Sequence, residues 1–171
     1  APQLRALDSL LSNSSAGTIP ARKKLIAVCV LGTYIKRRCN LLILSEESVI
    51  LSAKELEYCL RESAETISHC GIACSFKRRL EGTLAAEDTV LIYDLFEEIV
   101  ESTLPSLTAL FLNMNAADGR AEMKLQISGA PGNVTAERPA SISKFISRGG
   151  RITEMEEDGT VHIALSLSNG G

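Results

Sequence analysis

Apolar residues recur at helical spacing through the first third of the chain. Leu4, Leu7, Leu10 and Leu11 share one face of a helix over residues 1–12, and Asn13-Ser14-Ser15-Ala16-Gly17 ends it. Thr18 as N-cap and Pro20 in the first turn open a second helix over residues 20–45, with Leu25, Val28, Leu31, Ile35 and Leu42 at its apolar positions. A third helix is predicted over residues 52–69. Ser52 and Glu55 have capping-box spacing, Leu56, Cys59, Leu60, Ser63 and Ile67 form the buried stripe, and Gly71 takes the C′ position. Two long helices with a short connection predict an antiparallel hairpin.

After Gly71 the period changes from helical to alternating. Ile72–Leu80 reads as a strand with Ile72, Cys74, Phe76 and Arg78 on one side, and Glu81-Gly82-Thr83 as a turn. Residues 85–104 predict a helix with Val90, Leu91, Leu95, Ile99 and Val100 inward, stopped by Pro105. Thr108–Asn113 and Ala121–Ser128 are strands joined at Asp118-Gly119, a hairpin turn. Residues 129–140 form a loop rich in Gly, Pro and small residues, and 141–147 a short helix closed by Gly149-Gly150. Arg151–Glu156 and Thr160–Leu167 make a last hairpin about Asp158-Gly159. Helices followed by this mixture predict an α+β fold, a two-layer α/β sandwich with one mixed sheet and helices on one face.

Composition narrows the classes. The chain has 171 residues, 45% of them hydrophobic, which suffices for a core. Aromatics make up 4% and Trp is missing, so Leu, Ile, Val and Ala must build that core. A net charge of −3 argues against a nucleic-acid partner. No apolar run reaches the roughly 18 residues of a membrane span. The chain begins at Ala1 rather than Met, so a membrane association is expected only through a segment upstream of it. Five cysteines, mostly in apolar helical patterns, suggest reduced thiols and a cytoplasmic location.

The order of elements and the tail Gly149–Gly171 resemble the C-terminal region of sensor histidine kinases, whose ATPase-like domain has the Bergerat (GHKL) fold. In that family a paired glycine precedes a strand, then comes a Gly-Thr turn, then an alternating strand ending near Pro or Gly. Gly149-Gly150, Gly159-Thr160 and Gly170-Gly171 match those places. The preceding hairpin is similar to the family's dimerisation and phosphotransfer hairpin. The resemblance thus implies two parts, 1–69 and 70–171, and a homodimer formed through residues 20–69.

Position by position, the family's chemistry thins out. The hairpin motif His-Asp-x-Leu-Gly is met at Leu31-Gly32, but Val28 and Cys29 stand in the His and Asp places, and Val28 has no nucleophile. The nucleotide helix should carry Glu-x-x-x-Asn. Glu98 with Ser102, or Glu97 with Glu101, has the spacing without the Asn that would hold Mg²⁺. The adenine motif Asp-x-Gly-x-Gly becomes Ser128-Gly129-Ala130-Pro131-Gly132, with Gly132 in register and Ser128 a neutral acceptor. Residues 133–148 contain no glycine for a phosphate-cradling lid. The resemblance therefore implies Glu98, Ser102, Ser128, Gly132 and Gly149 as nucleotide-side residues, ATP and Mg²⁺ as cofactors bound weakly or not at all, and no catalytic residue in the hairpin.

The other constellations read as structural. His69 suits a helix C-terminus and His162 the polar face of a strand. His69, Cys70, Cys74 and Cys59 lack a zinc spacing, so no metal site is expected. Lys36-Arg37-Arg38 and Lys77-Arg78-Arg79 could meet a phosphate-bearing partner or acidic lipid headgroups, but read as solvated faces or as salt-bridge partners of Glu46-Glu47 and Glu154–Asp158. Three functions stay open: a non-phosphorylating kinase-like signalling module that binds another kinase or a response regulator, an ATP-dependent kinase with diverged motifs, and an interaction domain of unrelated family.

Overall fold

A computed structural model describes residue 5 and residues 21–117, 119–130, 132–135 and 140–168. Apart from Arg5, the predicted helix over residues 1–12 lies outside them, as do Thr18, Pro20, Asp118, Pro131 and Gly170-Gly171. Two helices open the described chain, α1 (Ala21–Glu47) and α2 (Ala53–His69). They are antiparallel: Thr33 meets Thr66, with Oγ1 atoms 3.1 Å apart, and Lys36 meets Glu62. Ser52 caps α2 by accepting the Lys54 N–H. Gly71, at φ +83°, closes it: the Gly71 N–H reaches Ser68 O and the Ile72 N–H reaches Ile67 O. This is a Schellman ending, which needs a residue free of the Cβ penalty at positive φ.

The connector between α1 and α2 holds a short strand, β1 (Ile50–Ser52), which pairs antiparallel with β3 (Thr83–Ala85). Sequence reading puts a plain connection at the first and a turn beside the second. Three residues are too few for an alternating pattern to register, so only the pairing identifies them. The main sheet has β2 (Ala73–Leu80), β4 (Ala109–Ala117), β5 (Arg120–Ser128), β6 (Arg151–Glu157) and β7 (Thr160–Ser168) in the order β2-β4-β5-β7-β6. β2 and β4 are parallel, and the remaining neighbours are antiparallel. β4 runs four residues further than its predicted end, to Ala117.

Alternation puts Leu110, Leu112, Met114 and Ala116 of β4 on one face, with Met123, Leu125 and Ile127 of β5 and Val161, Ile163 and Leu165 of β7. All are buried. Two helices cover that face, α3 (Ala86–Thr103) and α4 (Ala140–Ser147). Leu95, Phe96 and Val100 of α3 and Phe145 of α4 are almost fully enclosed there. Each such side chain contributes about 2–3 kcal/mol of transfer free energy. The other face carries polar residues such as Lys124 and Gln126, with His162 beside Gln126. The result is the predicted two-layer α+β sandwich. The hairpin packs on α3 as well as on itself, and one hydrophobic core runs from Val30 to Leu167.

Candidate functional site

The surface of α3 decides where chemistry can occur, because both the hairpin and α4 lie against it. On the α4 side, Ser141 donates a 2.8 Å hydrogen bond to Glu98 Oε1. At the other end of α4, Arg148 bonds Asp88 Oδ1 and Glu87 Oε2, both at 2.6 Å. Between these clasps, Ile142 and Phe145 are buried. The space left among Ile92, Met114, Ala121, Met123, Phe145 and Leu165 is about 10 Å³, room for about one water molecule at most. α4 is thus held along α3 at both ends with its apolar face seated in the core.

The five sequence-predicted nucleotide residues do not converge. Glu98 is half-buried and tied to Ser141. Burial raises its carboxyl pKa, the Ser141 bond opposes this, and Asp94 and Glu101 add to the rise. Its Oε2 is buried with no hydrogen-bond partner among the described residues. Ser102 turns back on its own helix and donates to Ile99 O. Ser128 ends β5 and meets Thr160, Oγ to Oγ1 at 3.4 Å, while its carbonyl accepts from Thr108. Gly132 faces the Glu156 carboxylate, which stands 2.3 Å from where a Cβ would be. Gly149, at φ +84° with open space around it, is the turn residue after α4.

Sequence reading misses the residue that organises the segment after β5. Glu154 on β6 accepts the backbone N–H groups of Val134 at 2.7 Å and Thr135 at 2.8 Å, and the Thr135 hydroxyl as well. Paired N–H groups in a loop are the usual cradle for an anion, and here a side chain of the same protein occupies it. The signal in the sequence was only a carboxylate in an acidic run, assigned above to the basic clusters.

Those clusters have other partners than the predicted Glu46-Glu47 and Glu154–Asp158. Lys36 and Arg37 both reach Glu62. Arg78 reaches Glu57 at 2.6 Å, shared with Arg61, and Arg79 lies 3.8 Å from Glu81. Arg38 forms a forked pair with Asp94 on α3, Nε to Oδ1 at 2.8 Å and Nη2 to Oδ2 at 3.0 Å. The Tyr34 hydroxyl donates to the same Oδ1 at 2.8 Å. Burial, and then the Asp94 charge, push the Tyr34 phenol upward.

A second polar node joins α2 to α3. Ser63 donates to Glu97 Oε1 at 2.8 Å, and its hydroxyl lies 2.9 Å from the Tyr93 hydroxyl. Glu97 is 4% exposed. Burial pushes its carboxyl up to about 8; the Ser63 bond opposes this, and Glu101 and Asp94 add to it. Glu97 therefore faces the hairpin and is engaged there, while Glu101 is exposed. In the hairpin itself, Val28 is half-buried on α1 and Cys29 is exposed. His69 ends α2 in the exposed layer.

No protein-family model matches the sequence, and no curated protein matches it. Solved structures do match by fold. The histidine kinase AdeS of Acinetobacter baumannii is 10% identical with a TM-score of 0.54, covering 99% of this chain and 96% of its own. The histidine kinase domain of the blue-light activated kinase EL346 of Erythrobacter litoralis is 10% identical with a TM-score of 0.56, covering 98% and 83%. The catalytic domain of histidine kinase ThkA is 17% identical with a TM-score of 0.51, covering 70% and 94%. From its helical hairpin to its last strand, this chain has the fold of the C-terminal region of histidine kinases.

Proposed function

We propose that this protein is a signalling module built on the histidine-kinase fold that works by assembly and partner binding, without autophosphorylation. The observation that carries the proposal is the hairpin surface at Val28-Cys29. The chain's two histidines lie at the end of α2 and in β7, and neither is on α1, where the fold would present a phosphoacceptor.

The residues present do not fit ATP with Mg²⁺. Glu98 has one orphaned oxygen that a cation could use, but Ser102, in the place of the Asn, turns back on its own helix to Ile99 O and offers no amide oxygen to a metal. The paired N–H groups of Val134 and Thr135, which could cradle an anion, already hold Glu154. Ser128, in the adenine position, supplies no charge. α4 is clasped to α3 where the ligand would need room.

The reading includes a homodimer through the hairpin, with a response regulator or another kinase as partner. Titration calorimetry with ATP and Mg²⁺ is expected to give no binding heat in the micromolar range, and incubation with labelled ATP no protein-bound phosphate. Micromolar binding abolished by Glu98→Ala would sink the proposal. Sedimentation is expected to give a dimer, and a monomer at high concentration would remove the assembly half.

A further inference from the structure

Two cysteines face each other across the hairpin. Arg37 meets Glu62, and one turn on, Thr33 meets Thr66 with 3.1 Å between hydroxyl oxygens. Four residues back along α1 matches four forward along α2, and the next step sets Cys29 opposite Cys70. Burial, and then the neighbouring Cys29 thiol, push the Cys70 thiol upward. Cys29 is exposed and Cys70 half-exposed. Cys70 is the C-cap of α2, its N–H bonded to Thr66 O at 3.0 Å, and Gly71 fixes the turn behind it.

The other three cysteines differ. Cys59 is buried, which lifts its thiol to about 12, and burial lifts Cys74 to about 11. Both are weaker nucleophiles than the exposed Cys29 for that reason, and neither has a second thiol opposite it across the hairpin at the Thr33–Thr66 register. Cys39 is exposed on α1.

We propose that Cys29 and Cys70 form a redox-sensitive dithiol that closes to a disulfide when a peroxide reaches the hairpin. The Cys29 thiolate attacks one peroxide oxygen and the O–O bond breaks. A sulfenic acid forms, and the released hydroxide takes a proton to become water. The Cys70 thiolate then attacks the sulfenic sulfur, the S–S bond forms, and the S–O bond breaks to give a second water. Two thiols lose two electrons, peroxide gains them, and the two thiol protons end in water. Closure brings the sulfurs to about 2.05 Å. The bond ties α1 to α2 beside Val28, so the two helices cannot slide or turn against each other.

The test treats the reduced full chain with a small excess of hydrogen peroxide, alkylates the remaining thiols, and maps the peptides. The expected product is one intramolecular link between Cys29 and Cys70, with Cys39, Cys59 and Cys74 alkylated. The link is lost in Cys29→Ser and kept in Cys39→Ser. Phenylarsine oxide, which bridges paired thiols, is expected to bind one per chain in the reduced protein and none in Cys29→Ser. Because Cys29 is exposed, that variant keeps the fold, and circular dichroism checks this. The oxidised protein melts about 5–10 °C higher than the reduced one, a gap missing in Cys29→Ser. A Cys29 or Cys39 link between two copies, or oxidation of Cys29 with Cys70 still alkylated and no arsenical bound, would overturn the proposal.

Discussion

Replacing Glu97 by Gln tests whether a buried carboxyl limits how firmly the hairpin sits on α3. Glu97 is 4% exposed, accepts from Ser63 of α2, and is pushed up to about 8 from an ordinary 4.5. That difference is worth about 5 kcal/mol between the two protonation states. The folded pKa lies above the unfolded one, so the folded state binds more protons between those values. Stability from this group is therefore complete below about 4.5, falls as pH rises, and has reached its full loss above about 8. At pH 7 the loss is about 3 kcal/mol, because folding must bring a proton onto a group that is ionised when unfolded. Gln has nearly the shape of the neutral carboxyl and does not titrate. Urea unfolding of both proteins at half-unit steps from pH 5 to 8.5 gives the difference between them at each pH. A fixed offset from altered hydrogen bonds moves the whole curve; the Glu97 contribution changes its slope. The variant is expected to gain on the parent by about 2 kcal/mol or more between pH 5 and 7. Parallel curves across that range would refute the argument that Glu97 is held neutral by burial.

Two further substitutions test the packing on either side of α3. Asp94→Ala leaves both the Arg38 guanidinium and the Tyr34 hydroxyl without their acceptor, at a cost of about 2–3 kcal/mol in urea unfolding; a loss below about 0.5 kcal/mol would mean the hairpin is not anchored there. Gly150→Ala sets a Cβ 2.4 Å from the Phe145 ring and 2.7 Å from its carbonyl oxygen. Phe145 is 1% exposed and cannot yield, so a loss of about 1–3 kcal/mol is expected from overpacking. Thermal melting of Gly150→Ala unchanged from the parent would show that α4 can lift from the sheet.

Much of this architecture is local in origin and was legible for that reason. The Gly71 ending of α2 depends on one residue free to take positive φ, and the Asp158-Gly159 turn on two, at +48° and +72°. The alternation in β5 and β7 separates core from solvent without reference to any neighbour. The short strands β1 and β3 were illegible because three residues carry no period. The candidate site was legible only as a set of substitutions. The sequence placed Glu98 on a helix, as observed, and could not place Ser141 against it, since the two are 43 residues apart.

The opening hairpin shows the same division. Its two helices, their direction and its capping at Ser52 and Gly71 follow from the spacing of apolar residues and from backbone preferences within a few positions. Where its charges go does not. Arg38 finds Asp94 at a separation of 56 residues and Ser63 finds Glu97 at 34. The same arginine in another packing would serve as a solvated face. Apolar burial repeats along a helix and so writes itself into the sequence as a period. A hydrogen bond between distant carboxylates and their donors leaves no period, because its partner is set by how the hairpin and the sheet layer come together.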